Sequence, residues 1–284
     1  MIPSIPQSPL FRHGYRLYVV TFFLFLAAPL AVVAVFAFND SLFPSLPWGG
    51  WTLDWFFNDS EPKLGIFHDD ELLESIGISF FVAVFVTLFS LGLATSNAFL
   101  FERQDFAGKN LLYVLMLTPL VIPGVILGVS ILIFGSSIAN GVENQTGYDI
   151  EWLRPGLPLV ITGQFAFITT ICTLILAARL RKFDTSLEEA AMNLGATRVE
   201  AIRTVTIPYL RPALIGAGVV SFLMSFENFN TTLMLVGSDA PLTIAMFDRL
   251  REGSTPVLNA VSLLLMLGSA TLALISVLVQ RREG

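Results

Sequence analysis

The chain has 284 residues, of which 54% are hydrophobic and 13% charged, with 25 phenylalanines and a formal net charge of −6. That balance excludes an ordinary soluble domain and indicates an integral membrane protein, for which the side of the membrane each charge occupies matters more than the total. One cysteine, Cys172, excludes an internal disulfide, and one Cys with two His excludes a zinc site built by this chain alone.

Six apolar stretches each approach about 20 residues, the length a helix needs to cross the hydrocarbon core. They fall near Leu17 to Phe38, Ile76 to Leu100, Leu111 to Phe134, Leu157 to Ala178, Pro212 to Gly237 and Val257 to Val279. The first follows Arg12 and Arg16, but it is longer than a secretory signal core and lacks a small-residue cleavage site, so it reads as a retained span. Between the first two lies Asn39 to Ser75, an acidic segment too short to be expected to bury a core of its own. Pro29, Pro119 and Pro123 fall inside spans, where buried neighbours can satisfy the freed carbonyls. Twelve of the sixteen Lys and Arg residues lie before the first span, after the sixth, or in the second and fourth connections, which predicts cytoplasmic termini.

The fourth connection, Arg179 to Arg211, reads as two short helices. Ser186 with Glu189 three residues later predicts a capping box at the start of the first helix. Gly195 predicts a left-handed cap at its end, and Pro208 predicts the end of the second helix. Ala190, Ala191 and Ala196 offer a small-residue surface that another protein can approach closely. Between the last two spans, Leu242, Met246 and Leu250 form an apolar stripe opposite Asp248, Arg249, Arg251 and Glu252, which predicts a short interfacial helix.

EAAMNLG, followed after nine residues by VTIP, resembles the EAA loop of binding-protein-dependent ABC importer permeases. Glu189, Ala190, Ala191, Gly195 and Pro208 match that pattern, while Val205 and Ile207 replace Ile and Leu. The similarity runs through WTLDWF, FERQDFAGKN, TPLVIPG and VLNAVSLLLML. It implies an all-α, six-span type I importer permease, a single transmembrane domain over residues 1–284, in a bacterial inner membrane. Residues 1–16 and 179–211 would be cytoplasmic, and residues 39–75 and 238–256 periplasmic. It also implies two ATP-binding cassette ATPases, a second permease subunit, a periplasmic solute-binding protein and the lipid bilayer as partners, and no nucleic acid. The ATPase-coupling residues would be Ser186, Glu189, Ala190, Ala191, Gly195, Ala196, Arg198, Val205, Ile207 and Pro208. No phosphate-cradling GxxxxGK[ST] loop occurs, since AGK at Ala107 to Lys109 lacks the leading glycine and the following hydroxyl. The chain is therefore expected to be no enzyme and to hold no cofactor, with ATP and Mg bound by the partner ATPase.

SFENFNTT, Ser225 to Thr232, interrupts the fifth apolar stretch. With Pro212 at the cytoplasmic start of that span, Glu227 lies about 22 Å along it at 1.5 Å per residue. A carboxylate there costs a few kcal/mol on insertion scales and requires either a partner or a pathway. A structural pairing, with Arg249 for example, is one reading. The other is a translocation path shaped by Phe226, Glu227, Asn228, Phe229, Asn230 and Thr231, in which aromatic faces and a carboxylate suit an ammonium group. The whole-chain pattern most resembles the spermidine and putrescine permeases, although Asn228 stands where a second acidic residue would be expected. A permease for another small organic solute, or an ion-gradient carrier using Glu227, are the alternatives.

Overall fold

In a computed structural model the described residues are 8–44, 46–253 and 256–282, with side chains described as far as 278. Part of the predicted N-terminal segment 1–16 and of the loop 238–256, and the end of the expected domain 1–284, lie outside them. Twelve α-helices follow in chain order: α1 Pro9–Phe36, α2 Asp54–Phe57, α3 Asp70–Arg103, α4 Lys109–Val121, α5 Gly124–Thr146, α6 Leu157–Leu180, α7 Ser186–Asn193, α8 Arg198–Ala201, α9 Ile207–Phe226, α10 Thr232–Leu235, α11 Leu242–Glu252 and α12 Val257–Arg282. Among the described residues, six helical stretches are long and apolar enough to cross a membrane. Two compact units are distinguishable. One comprises the described residues up to Asp70 with Arg249–Leu267; the other comprises Glu71–Asp248 with the described residues from Gly268 onward.

In the first unit, α1 has no buried residue, so its apolar surface is available to lipid or another chain. The segment after it does bury a small core, contrary to the expectation from its length. Trp55 and Ile66 are 1% exposed and Phe56 6%. Backbone pairing of Asn39 with Trp51 closes the loop, and the Trp55 indole N–H donates to the Asn39 carbonyl at 2.8 Å. Two large aromatics and a shared hydrogen-bond frame supply what a short loop otherwise lacks. Lys63 binds Asp40, and Asp54 at 3.4 Å; the Asp40 hydrogen bond holds the Lys63 ammonium above its ordinary pKa. Arg249 clamps Asp69 bidentately, with Nη2 2.8 Å from Oδ1.

In the second unit α6 is the central element, 56% buried over its apolar window against none for α1. Ile168, Cys172 and Leu176 of α6 pack with Val82, Val86 and Ala94 of α3 and with Leu210 and Ala217 of α9. Its hydroxyls are satisfied without water: Thr169 donates to Ser90 at 3.2 Å, Thr170 to the Met116 carbonyl at 2.8 Å, and Thr173 to the Thr169 carbonyl at 2.8 Å.

Four local expectations are corrected. The third apolar stretch is two helices, α4 and α5, separated at Ile122 and Pro123; Pro123 is the N-cap residue of α5. Proline has no N–H for a continuing helix, and its ring disfavours the α conformation at Ile122. Pro208 does not end a helix, because a π-helical turn, Ile202–Thr206, carries α8 into α9 and accommodates the proline in the first turn of α9. No capping box forms at Ser186, which is the first residue inside α7 after the N-cap Thr185 and whose amide binds Asp184 Oδ1 at 3.0 Å; Thr197 and Glu200 form one at the start of α8. On α11, Leu242, Ile244 and Ala245 are buried, Met246 is half-buried and Leu250 is exposed, so the short helix is present but the predicted stripe is covered only over its first part.

Candidate functional site: a broken transmembrane helix and an exposed hairpin

The fifth apolar stretch does not continue as helix to Gly237. α9 stops at Phe226, Glu227 is its C-cap, and α10 resumes for one turn at Thr232. Asn and Thr side chains compete for backbone groups, which destabilises a helix interior and favours breaks and caps. Here Asn228 Oδ1 accepts from the Thr232 amide at 3.2 Å and from its hydroxyl at 3.0 Å, while the Asn228 carbonyl accepts from Thr243 Oγ1 at 3.0 Å. Gln164 of α6, 1% exposed, donates to Thr232 Oγ1 at 2.9 Å and accepts from the Ser225 hydroxyl. Gln164 is a functional residue that sequence reasoning misses, its one signal being an amide beside Thr162 in the apolar run LVITGQFAFI, whereas Thr232 belongs to the polar SFENFNTT stretch.

Glycines make room for the short α10 turn. A Cβ on Gly128 would meet Met234 Cβ at 2.9 Å and the Thr231 carbonyl at 3.0 Å, and one on Gly163 would meet Leu235 Cδ1 at 2.3 Å. Gly124 and Gly128 are one turn apart on α5, a small-xxx-small spacing that permits such close approach in membranes. The Thr231 hydroxyl also reaches the Gly124 carbonyl at 3.4 Å.

A cavity of about 250 Å³ lies where the two breaks meet, lined by Pro119 and Ile122 at the end of α4 and by Asn228, Asn230 and Thr231 after α9. Pro123 provides no amide proton, so the Pro119 carbonyl has no i+4 helical donor. The C-termini of α4 and α9 both carry the negative end of a helix dipole. Of the predicted pathway residues, Asn228, Asn230 and Thr231 line this cavity together, whereas Phe226, Glu227 and Phe229 do not. Glu227 is exposed and accepts from the Ser269 hydroxyl at 3.4 Å. Phe226 stacks on Phe222 and Phe229 packs on Phe247, with ring centroids 5.8 and 5.0 Å apart. Arg249, the suggested partner of Glu227, is the partner of Asp69.

The hairpin of α7 and α8 is held from behind. Glu188 accepts from Arg103 at 3.2 Å and from the Thr206 hydroxyl, and the Arg103 guanidinium lies 5.2 Å from the Phe183 ring centroid. Arg181 makes a bidentate pair with Glu102 at 3.0 and 2.6 Å. The outward surface differs: Ser186, Glu189 and Ala190 are exposed, Ala191 and Ala196 half-buried, and Leu187, Leu194 and Val199 are 50%, 90% and 73% exposed. Gly195 has φ +98°, the left-handed cap expected from the sequence. Arg198 is exposed, Val205 and Ile207 half-buried, and Pro208 exposed. Hydrogen bonding by the Thr197 amide holds the Glu200 carboxyl below its usual pKa.

These are the features of a multi-span helical membrane protein with one broken spanning helix and an exposed hairpin tied to its core. Residues 88–283 match the family described as binding-protein-dependent transport system inner membrane component, and the chain belongs to that family. It is a permease subunit of an ABC importer, in which the ATPase is a separate subunit. Among curated proteins it is 28% identical over 261 residues to the putrescine transport system permease protein PotI of Escherichia coli strain K12, covering 91% of this chain and 88% of the relative. It is 25% identical over 287 residues to the spermidine/putrescine transport system permease protein PotC of Haemophilus influenzae, covering 98% of this chain and all of that one. A bacterial ABC transporter crystal structure, involved in import of the acidic polysaccharide alginate, contains a chain with the same fold: TM-score 0.73, 18% identity and 96% coverage of each.

Proposed function

We propose that the chain is one of two permease subunits of an ATP-driven importer for a small organic cation of the polyamine class. Its termini and the α7–α8 hairpin would face the cytoplasm of a bacterium, with two ATPases docked on the hairpins and a periplasmic binding protein delivering solute. The observation that carries this reading is the exposed carboxylate of Glu227 at the end of a spanning helix broken next to a cavity that Asn228, Asn230 and Thr231 help to line. Lipid cannot solvate that carboxylate, so the surface around it is expected to face a water-filled path or a second permease subunit. A carboxylate and two negative helix ends favour a cation. An ion pair at about 4 Å and an effective dielectric near 20 contributes about 4 kcal/mol, comparable to the insertion cost of the carboxylate, so a cation can be held and then released.

The names of the putrescine and spermidine/putrescine relatives support the polyamine class. The alginate-importing neighbour supports only the architecture, because one fold serves unlike substrates. The exposed Glu189, Ala190, Leu187 and Leu194 support the hairpin as the ATPase-facing surface, with ATP and Mg bound entirely on the partner. Glu227→Gln preserves size and hydrogen bonding while removing the charge. In proteoliposomes containing the complete transporter, putrescine uptake should fall by about tenfold or more, equivalent to about 1.4 kcal/mol, with assembly and basal ATP hydrolysis retained. Wild-type uptake over a range of putrescine concentrations would remove Glu227 from the path.

A further inference from the structure

A second cavity, of about 600 Å³, lies on the hairpin side of the second unit and is separate from the helix breaks. The end of α3 contributes Phe99, Leu100 and Arg103 to its lining and Gln104 follows just beyond it, while the hairpin segment contributes Glu188, Arg198 and Ile202. The apolar run of α3 ends at Phe101 and is followed by Glu102 and Arg103, so this cavity lies where hydrocarbon gives way to headgroups. Its lining is amphipathic, with phenyl and aliphatic groups and the Thr95 and Ser96 hydroxyls beside two guanidinium groups, a carboxylate and an amide.

We infer that this cavity binds the phosphate headgroup and upper acyl chain of an anionic phospholipid from the leaflet on the hairpin side. Arg103 is already oriented by Glu188 and Phe183, which leaves other guanidinium N–H groups for a phosphate oxygen. Arg198 is exposed beside the cavity and supplies the second cation. The Glu188 carboxylate also lines the cavity, but its charge is engaged by Arg103 and the Thr206 hydroxyl. Two arginines against one engaged carboxylate leave a positive balance at the depth where basic pockets between membrane helices take anionic headgroups. Because Phe99 and Leu100 belong to α3 whereas Arg198 and Ile202 belong to the hairpin segment, one lipid would bridge the two and steady the hairpin.

The test is native mass spectrometry of the intact transporter after exchange into mixed phosphatidylcholine and phosphatidylglycerol, counting retained phosphatidylglycerol. Arg198→Gln should weaken retention by about fivefold, the change expected for one basic group near a membrane surface, and Arg198→Lys should restore most of it. Arg203→Gln alters an exposed basic residue of the same segment that does not line the cavity and should leave retention unchanged. Equal losses for Arg198→Gln and Arg203→Gln would reduce the effect to diffuse surface charge and overturn the site. Unchanged retention in Arg198→Gln would also overturn it. Thermal protection by inorganic phosphate equal to that by phosphatidylglycerol would assign the cavity to a free anion and refute the lipid.

Discussion

Gln164→Leu tests whether a buried amide holds the broken segment in place. The substitution keeps approximate side-chain size but deletes the donor to Thr232 Oγ1 at 2.9 Å and the acceptor of the Ser225 hydroxyl. Both partners are buried, Thr232 at 0% and Ser225 at 3% exposure, so water does not readily replace the amide. Thr232 retains its own donation to Asn228, and the Ser225 hydroxyl can turn toward a carbonyl of its own helix, so neither is left entirely unsatisfied. Interhelical hydrogen bonds in membranes average about 0.6 kcal/mol and reach about 1.7, so the two together amount to about 1 to 3 kcal/mol. Reversible unfolding in mixed detergent micelles, followed by far-UV circular dichroism, would measure the loss. A double-mutant cycle with Thr232→Val should give a coupling of about 0.6 to 1.7 kcal/mol. Additivity within about 0.3 kcal/mol would show that the amide does not act through Thr232, and the account of the break would fail.

Gly128→Ala should cost about 1 to 3 kcal/mol and reduce uptake, because the new methyl meets the Thr231 carbonyl at 3.0 Å. Gly141→Ala, with nothing within 4 Å, is the control; equal loss in both variants would refute the steric explanation. Gly195→Ala places a side chain at φ +98° and should cost about 1 kcal/mol, weakening ATPase association without loss of membrane insertion, as measured by co-purification. The Thr197 hydrogen bonds hold the Glu200 carboxyl below its ordinary pKa of about 4.5, so its capping contribution is present above that pH and lost as pH falls through the lowered value. The protection factor of the Thr197 amide, taken against its intrinsic exchange rate at each pH, should therefore be highest at neutral pH and fall in acid, and Glu200→Gln should lower it at neutral pH.

Apolar length, the requirement that lipid-exposed backbone satisfy its own hydrogen bonds, and the EAA-like motif made several features legible in sequence alone: the membrane class, six spanning stretches, the hairpin and the left-handed Gly195. Each depends on composition or on residues within a few positions of one another. Whether Pro123 and Pro208 break, kink or merely widen a helix depends on neighbours that the local pattern does not specify; one separates α4 from α5, and the other is accommodated by a π turn. Ser186 makes no capping box because Thr185 is the N-cap of α7 and Asp184 takes the Ser186 amide, while Thr197 and Glu200 form a box on the separate helix α8. Ending α9 at Phe226 likewise required Gln164, 61 positions before Ser225, together with glycines on α5 and α6 that accommodate α10. Such long-range pairings leave little periodic signal, because each residue by itself looks like an isolated polar group or a small residue in an apolar run. Only packing decides which of them meet, since burial in a medium without water requires each polar group to find its partner within the protein.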